Sequence, residues 1–134
     1  MGDDPLKIAQ SAAENAAAFA DLLATRLADV AGALRNGEDA PALNTLGEST
    51  DDLEQFLTFL VLTSEMLDKC SPATSTGLRD YRERLMKVLE TLGPALQDMD
   101  LVEVADTLEH DVVSSLGEYR DLDDQVQSAL RAAA

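Results

Sequence analysis

Apolar residues recur along most of the chain at alternating steps of three and four, which is the spacing of one face of a helix. The first of these rows runs from Leu6 to Leu34. Asp4 is suited to an N-cap, Pro5 to the first helical position and Gly37 to a stop. The pattern predicts a first helix over residues 5–35, which presents mainly alanine to the core in its first half.

A second row predicts a helix over residues 40–69, which the Pro after Ser71 ends. Ser49 to Asp52 has the composition of a turn, but the row passes through it in register, so we predict one unbroken helix. A break near Gly47 to Thr50 is the alternative. The expected core row of this helix is Leu43, Leu46, Thr50, Leu53, Leu57, Leu60, Ser64 and Leu67.

Two further helices follow. A Ser- and Thr-rich loop from Pro72 to Gly77 leads into a third helix over about residues 75–97, with a kink or break expected at Gly93-Pro94. A fourth helix, capped by Asp100, is predicted as one piece over residues 101–131. Strand patterns are absent from the sequence, so four amphipathic helices with short connections predict an all-α, antiparallel up-down-up-down four-helix bundle. The 134 residues favour a single domain over residues 1–134.

The second helix is apolar on more than one face. On a helical wheel, Phe59, Leu62 and Met66 lie opposite the expected core row. A helix that is apolar nearly all round needs a cover on each face, either from its own chain or from another molecule. We therefore have two open interpretations: a partner-binding surface, or deeper burial beneath the first helix or the loop at 72–77.

Charge narrows the choice of partners. The chain has 10 Lys and Arg against 26 Asp and Glu, so its formal net charge is −16. Phosphate is repelled by such a surface, so we expect neither nucleic acid nor a membrane as a partner. The acidic N-terminus lacks the basic start of a secretory signal. The only cysteine, Cys70, is unable to form an internal disulfide, which favours the cytoplasm.

The fourth helix carries an acidic surface ridge. Glu103, Asp106 and His110 share the face opposite its apolar row, and Asp121 and Asp124 extend the ridge toward the C-terminus. Helical-bundle di-iron sites need Glu-x-x-His pairs, but the residue three before the only histidine is Thr107. We therefore predict no metal site and no cofactor, and keep a metal-binding or redox bundle as the alternative function.

No pattern in the sequence is typical of an enzyme. Cys70 is predicted at a helix C-terminus, where the helix dipole disfavours a thiolate. The glycines are scattered singly, so a phosphate-binding Gly loop and a Gly-x-Ser-x-Gly elbow are both absent from the sequence. We predict that the protein has no catalytic residues.

The segment from Asp100 to Asp111 carries the pattern Asp-x-Val-x-x-Ala-Asp-x-Leu-Glu. It resembles a pattern on a late helix of small, acidic, helical bacterial proteins without an assigned activity. The resemblance implies a bacterial, cytoplasmic, helical protein, and it draws attention to Asp106 and Glu109.

Together these observations predict a small acidic, non-enzymatic interaction module of adapter or chaperone type. We expect it to bind a protein partner or a second copy of itself through Phe59, Leu62 and Met66.

Overall fold

The computed structural model describes residues 4–133, of which 88% are helical. No strand occurs in this range, so the predicted all-α fold with four helical segments is confirmed. The first two segments are single helices, α1 (Pro5–Arg35) and α2 (Asp39–Leu67). The third consists of α3 (Pro72–Glu90) and α4 (Leu92–Gln97). The fourth consists of α5 (Leu101–Thr107), a π-helical turn (Leu108–Val112), α6 (Val113–Gly117) and α7 (Arg120–Ala132).

Helix α1 begins and ends where the sequence predicts. The Asp4 side chain accepts a hydrogen bond from the Leu6 backbone N–H, at 3.1 Å, and Pro5 occupies the first turn. The chain leaves the helix through Gly37, whose φ of 80° is a conformation that glycine adopts without strain. The buried face is alanine up to Ala20 and mainly larger from Leu23 onward, as the row predicts.

Helix α2 runs unbroken through Gly47 to Asp52, which confirms the prediction of a single helix. The hydroxyl of Ser49 donates to the Thr45 carbonyl oxygen, at 2.8 Å, so this polar residue is satisfied within the helix. The predicted core row is nevertheless wrong in part. Ser49 and Phe56 are buried, whereas Thr50 is exposed and Leu57 is only half-buried. The buried face is thus turned by one residue from the predicted row in this part of the helix.

The prediction of a loop from Pro72 to Gly77 is wrong, because α3 already begins at Pro72. Proline is favourable at this first helical position, where its missing N–H has no partner to lose. The Ser75 hydroxyl lies 2.8 Å from the Ser64 carbonyl oxygen of α2, so a residue typical of loops is buried with its hydroxyl satisfied. The expected interruption of this segment falls at Thr91. Pro94 then lies in the first turn of α4.

The prediction of one regular fourth helix is also wrong, because a π-helical turn and a break at Glu118-Tyr119 divide it. Val104, Leu108, Val112 and Leu116 are all buried at successive steps of four. In a helix of 3.6 residues per turn, each step of four rotates the side chain by roughly 40° from the previous one. The wider π-helical turn reduces this drift and keeps the row directed at the core.

The four segments enclose one continuous hydrophobic core. Helix α1 lies beside α2 on one side and beside the fourth segment on the other, and α3 also contacts both α2 and the fourth segment. All five aromatic residues of the chain meet in this core, and their ring centroids lie 5.4–6.4 Å apart. They are Phe19, Phe56, Phe59, Tyr81 and Tyr119.

Candidate functional site

An open apolar groove of about 680 Å³ lies between the first half of α1 and the second half of α2. We call it the α1–α2 groove. Its α1 wall consists of Pro5, Ile8, Ala9 and Ala12. Its α2 wall consists of Gln55, Thr58, Phe59, Leu62, Thr63, Glu65 and Met66. Since α1 presents alanine here, its short side chains leave the larger side chains of α2 uncovered.

The groove continues toward the centre of the molecule. A smaller hollow of about 200 Å³ shares Ala12, Gln55 and Phe59 with it and reaches Phe19 and Phe56. The apolar depression therefore extends along α1 from Pro5 to Phe19, and its inner end is formed by rings of the aromatic core.

The three residues predicted on α2 do lie together, because Phe59, Leu62 and Met66 all line the α1–α2 groove. They differ in exposure: Leu62 is 56% exposed, whereas Phe59 and Met66 are half-buried. The predicted position opposite the core is wrong for Phe59, whose ring centroid lies 6.4 Å from that of buried Phe56. Because the buried face of α2 includes Phe56, the surface formed by Phe59, Leu62 and Met66 lies next to the core, on the side of α2 that faces α1.

Sequence reasoning missed the α1 side of this surface. Ile8, which lines the groove, is 54% exposed, nearly as much as Leu62, and Leu22, beyond the groove on the same helix, is 55% exposed. A signal for them exists in the sequence, since Ile8, Ala12, Asn15, Phe19 and Leu22 form a second row at steps of four and three. Only the core row of this helix entered the prediction.

The acidic residues of the fourth segment have a partner that the sequence does not reveal. Arg35, in the last turn of α1, places Nη2 2.7 Å from Oδ1 of Asp106 and also pairs with Glu109. The hydrogen bond to Asp106 contributes most to raising the pKa of Arg35. Asp106 and Glu109 therefore link the fourth segment to α1, an exposed contact of small energetic value.

The rest of the predicted ridge remains on the surface. Glu103 and His110 are exposed, and so are Asp121 and Asp124 beyond the break at Tyr119. Between Asp4 and Ala133, no three His, Cys, Asp or Glu side chains are grouped closely enough to hold a metal ion.

A second polar cluster joins the end of α2 to the start of α3. Arg79 lies 2.6 Å from Oδ1 of Asp68, and the Ser75 hydroxyl lies 2.5 Å from the same oxygen. The hydrogen bond from Arg79, followed by the one from Ser75, lowers the pKa of Asp68 to about 2.

We expect Asp68→Asn to remove a pH-dependent part of the stability. Because folding lowers the pKa of Asp68 from 3.8 to about 2, its stabilisation is complete above the unfolded value and disappears as the pH falls through the folded one. The difference in thermal midpoint between wild type and Asp68→Asn should therefore narrow as the pH falls through this range. Asp98→Asn, at an exposed turn residue, is the control. A difference that stays constant over the range would contradict the assignment.

Among the described helices, none combines the length and apolar character needed to cross a bilayer. In the comparisons with known proteins, a family described as a domain of unknown function, DUF8042, matches residues 12–122. No curated protein and no solved structure matches the chain significantly. The family match covers most of the chain, including the π-helical turn and the α2 wall of the groove but only Ala12 of its α1 wall, so the protein belongs to this family.

Proposed function

We propose that this member of the DUF8042 family is a non-enzymatic interaction module, an adapter or chaperone-like protein that binds a protein through the α1–α2 groove. The observation that carries the proposal is an open apolar groove in a chain with a net charge of −16. Ile8 and Leu62, one on each wall, are more than half exposed. Apolar patches of this kind on otherwise polar surfaces commonly mark interaction sites.

The groove residues supply apolar surface that contributes favourably to an association. Fully burying a Leu, Ile, Phe or Met side chain contributes roughly 1.5–3 kcal/mol. Ile8 and Leu62 have about half of that available, and half-buried Phe59 and Met66 add smaller amounts. Ordering costs on binding reduce the sum, so a rigid partner surface is favoured.

The proposal places the groove on an antiparallel up-down-up-down bundle. Contacts between α1 and α2 support this, because Phe19 contacts Phe56 while Arg26, further along α1, pairs with the earlier residue Asp52. It also takes the protein to be bacterial and cytoplasmic, with a protein partner or a second copy as ligand, and with no cofactor, nucleic acid or membrane. The free, exposed Cys70 and the resemblance of residues 100–111 support this placement.

The test is photo-cross-linking in living cells. A photoreactive phenylalanine analogue replaces Leu62 in the groove or, as a matched control, Val102, which is 73% exposed at the start of α5. We expect a discrete adduct from position 62 that position 102 does not give. The same adducts from both positions, or none from position 62, would contradict the proposal.

We expect Ile8→Asp, introduced into the protein that carries the photoreactive residue at position 62, to abolish the adduct formed from that position. The substitution places a charge on the opposite groove wall, where an apolar partner surface would have to desolvate it. Since Ile8 is 54% exposed, circular dichroism should show unchanged helical content. An adduct that persists at full yield in the folded double variant would place the contact outside the groove.

A further inference from the structure

Every charged residue of helix α2 is acidic. Helix α2 contains six Asp or Glu residues and no Lys, Arg or His. Within residues 4–133, one of the six forms an ion pair, Asp52 with Arg26 of α1. The six are Asp39, Glu48, Asp51, Asp52, Glu54 and Glu65.

Two of these carboxylates flank the exposed part of the groove wall. Asp51, Gln55, Thr58, Leu62 and Glu65 follow one another at steps of four and three, so they form one outward row on α2. All five are exposed. The row has an acidic residue at each end, Asp51 and Glu65, and we call these two residues the acidic rim. At 1.5 Å per residue, the two ends lie about 21 Å apart.

The groove has a matching length on α1. The depression from Pro5 to Phe19 also spans about 21 Å of helix. An α-helix of about 14 residues has this length, and it packs against its neighbours at about 8–10 Å between axes. Such a helix, placed over the depression, contacts α1 and α2 together.

The charge argues against a second copy as the occupant. Two chains of −16 repel each other, and a two-fold interface on this surface would bring the acidic rims of two α2 helices together. The partner that complements both the apolar depression and the rim is apolar on one face and basic on its flanks.

We propose that the α1–α2 groove binds a basic amphipathic α-helix of another protein, whose apolar face fills the depression while its Lys and Arg flanks pair with the rim at Asp51 and Glu65. This inference rests on the proposed function and specifies its partner. It is the helix-in-groove mode of recognition, strengthened by charge complementarity.

The probe is a synthetic Leu/Lys amphipathic peptide of about 18 residues, long enough for its central 14 to cover the groove. A Leu/Glu peptide with the same leucine spacing is the matched control. Binding is measured by fluorescence anisotropy with wild type, Leu62→Asp and Val102→Asp. Leu62→Asp adds a negative charge, so a purely electrostatic association would be unchanged or tighter, whereas docking in the groove would be weaker.

We expect the Leu/Lys peptide to bind wild type and Val102→Asp equally, and Leu62→Asp at least about tenfold more weakly. The Leu/Glu peptide should not bind. If Leu62→Asp proves less helical by circular dichroism, Ile8→Asp on the other wall gives the same comparison. Equal binding by the folded groove variants and Val102→Asp would overturn the inference, and so would the lack of any binding to wild type.

Sedimentation of the protein alone separates this inference from the proposed function. A wild-type dimer that Leu62→Asp converts to monomer would show that a second copy occupies the groove. That result overturns the basic-helix inference and leaves the proposed function intact. Failure of the cross-linking test at position 62 overturns both.

Discussion

We expect Phe56→Ala to lower the free energy of unfolding by about 3–5 kcal/mol, which is the usual cost of truncating a fully buried phenylalanine. The Phe56 side chain is 2% exposed, and its ring contacts four other aromatic rings. Its removal deletes apolar burial and leaves a cavity that rigid neighbouring rings fill poorly. Urea denaturation followed by circular dichroism measures the loss, which is large beside the roughly 5–15 kcal/mol that stabilises a typical domain.

Phe59→Ala is the matched control, since it removes the same ring three residues later on the same helix. Because Phe59 is half-buried at the edge of the groove, we expect a clearly smaller loss of stability. Equal losses for the two variants would mean that Phe59 belongs to the core as fully as Phe56. The groove would then have no apolar side chain of α2 available except Leu62 and Met66.

The aromatic cluster connects stability to the candidate site. Phe56 and Phe59 are stacked with an interplanar angle of 19°, and both line the inner end of the depression. The floor of the groove is therefore a face of the rigid core. A rigid floor reduces the ordering cost of binding, which is one of the main costs of association.

The sequence was sufficient for the elements whose burial follows a simple 3.6-residue period. Helix α1 has the predicted limits because Asp4, Pro5 and Gly37 act locally, through a cap, a fixed φ and a positive φ. Helix α2 stays intact through Ser49 and Thr50 because tertiary packing and hydroxyl-to-carbonyl hydrogen bonds outweigh a weak local preference for a turn.

The remaining differences arise from contacts between distant residues. Pro72 begins a helix because the Ser75 hydroxyl forms hydrogen bonds with Ser64 of α2 and with Asp68, directly after the end of α2. The π-helical turn does have a local signal, since Val104, Leu108 and Val112 are separated by two successive steps of four. The predicted row contained these residues, but the prediction assumed a regular α-helical period throughout.

The candidate site was predictable on one wall only. Phe59, Leu62 and Met66 stand out because they are apolar outside the core row of a helix. Ile8 was not predicted as a site residue, because a single apolar residue among polar and alanine neighbours is common on surfaces. The link between Arg35 and Asp106 is invisible in a single sequence, since 71 positions separate the two residues.

The two tyrosines of the core differ in the hydrogen bonding of their hydroxyl groups. The Tyr81 hydroxyl donates to the Ser115 carbonyl oxygen, at 2.6 Å. The Tyr119 hydroxyl is buried, and it has no hydrogen-bond partner among the described residues. Burial, followed by the negative charge of Asp123, raises the pKa of Tyr119, and burial, followed by the charge of Glu118, raises that of Tyr81. Both hydroxyls are therefore protonated at neutral pH.

We expect removal of the two hydroxyls to change stability in opposite directions. Tyr81→Phe loses a hydrogen bond and should lower the free energy of unfolding by about 0.5–1.5 kcal/mol. Tyr119→Phe removes a buried hydroxyl that has lost its contact with water and gained no hydrogen bond. It should therefore raise the free energy of unfolding by about 1–3 kcal/mol. Denaturation at neutral pH compares the two variants with wild type.

The two substitutions are internally controlled, because each deletes one oxygen from a fully buried tyrosine in the same cluster. A loss of stability in Tyr119→Phe as large as that in Tyr81→Phe would show that the Tyr119 hydroxyl has a partner in solution, such as a buried water. Alkaline pH gives a second readout, since unfolded tyrosine ionises near 10.0 while the folded hydroxyls resist. Wild type should therefore lose stability above that pH, and the variant lacking both hydroxyls should lose less.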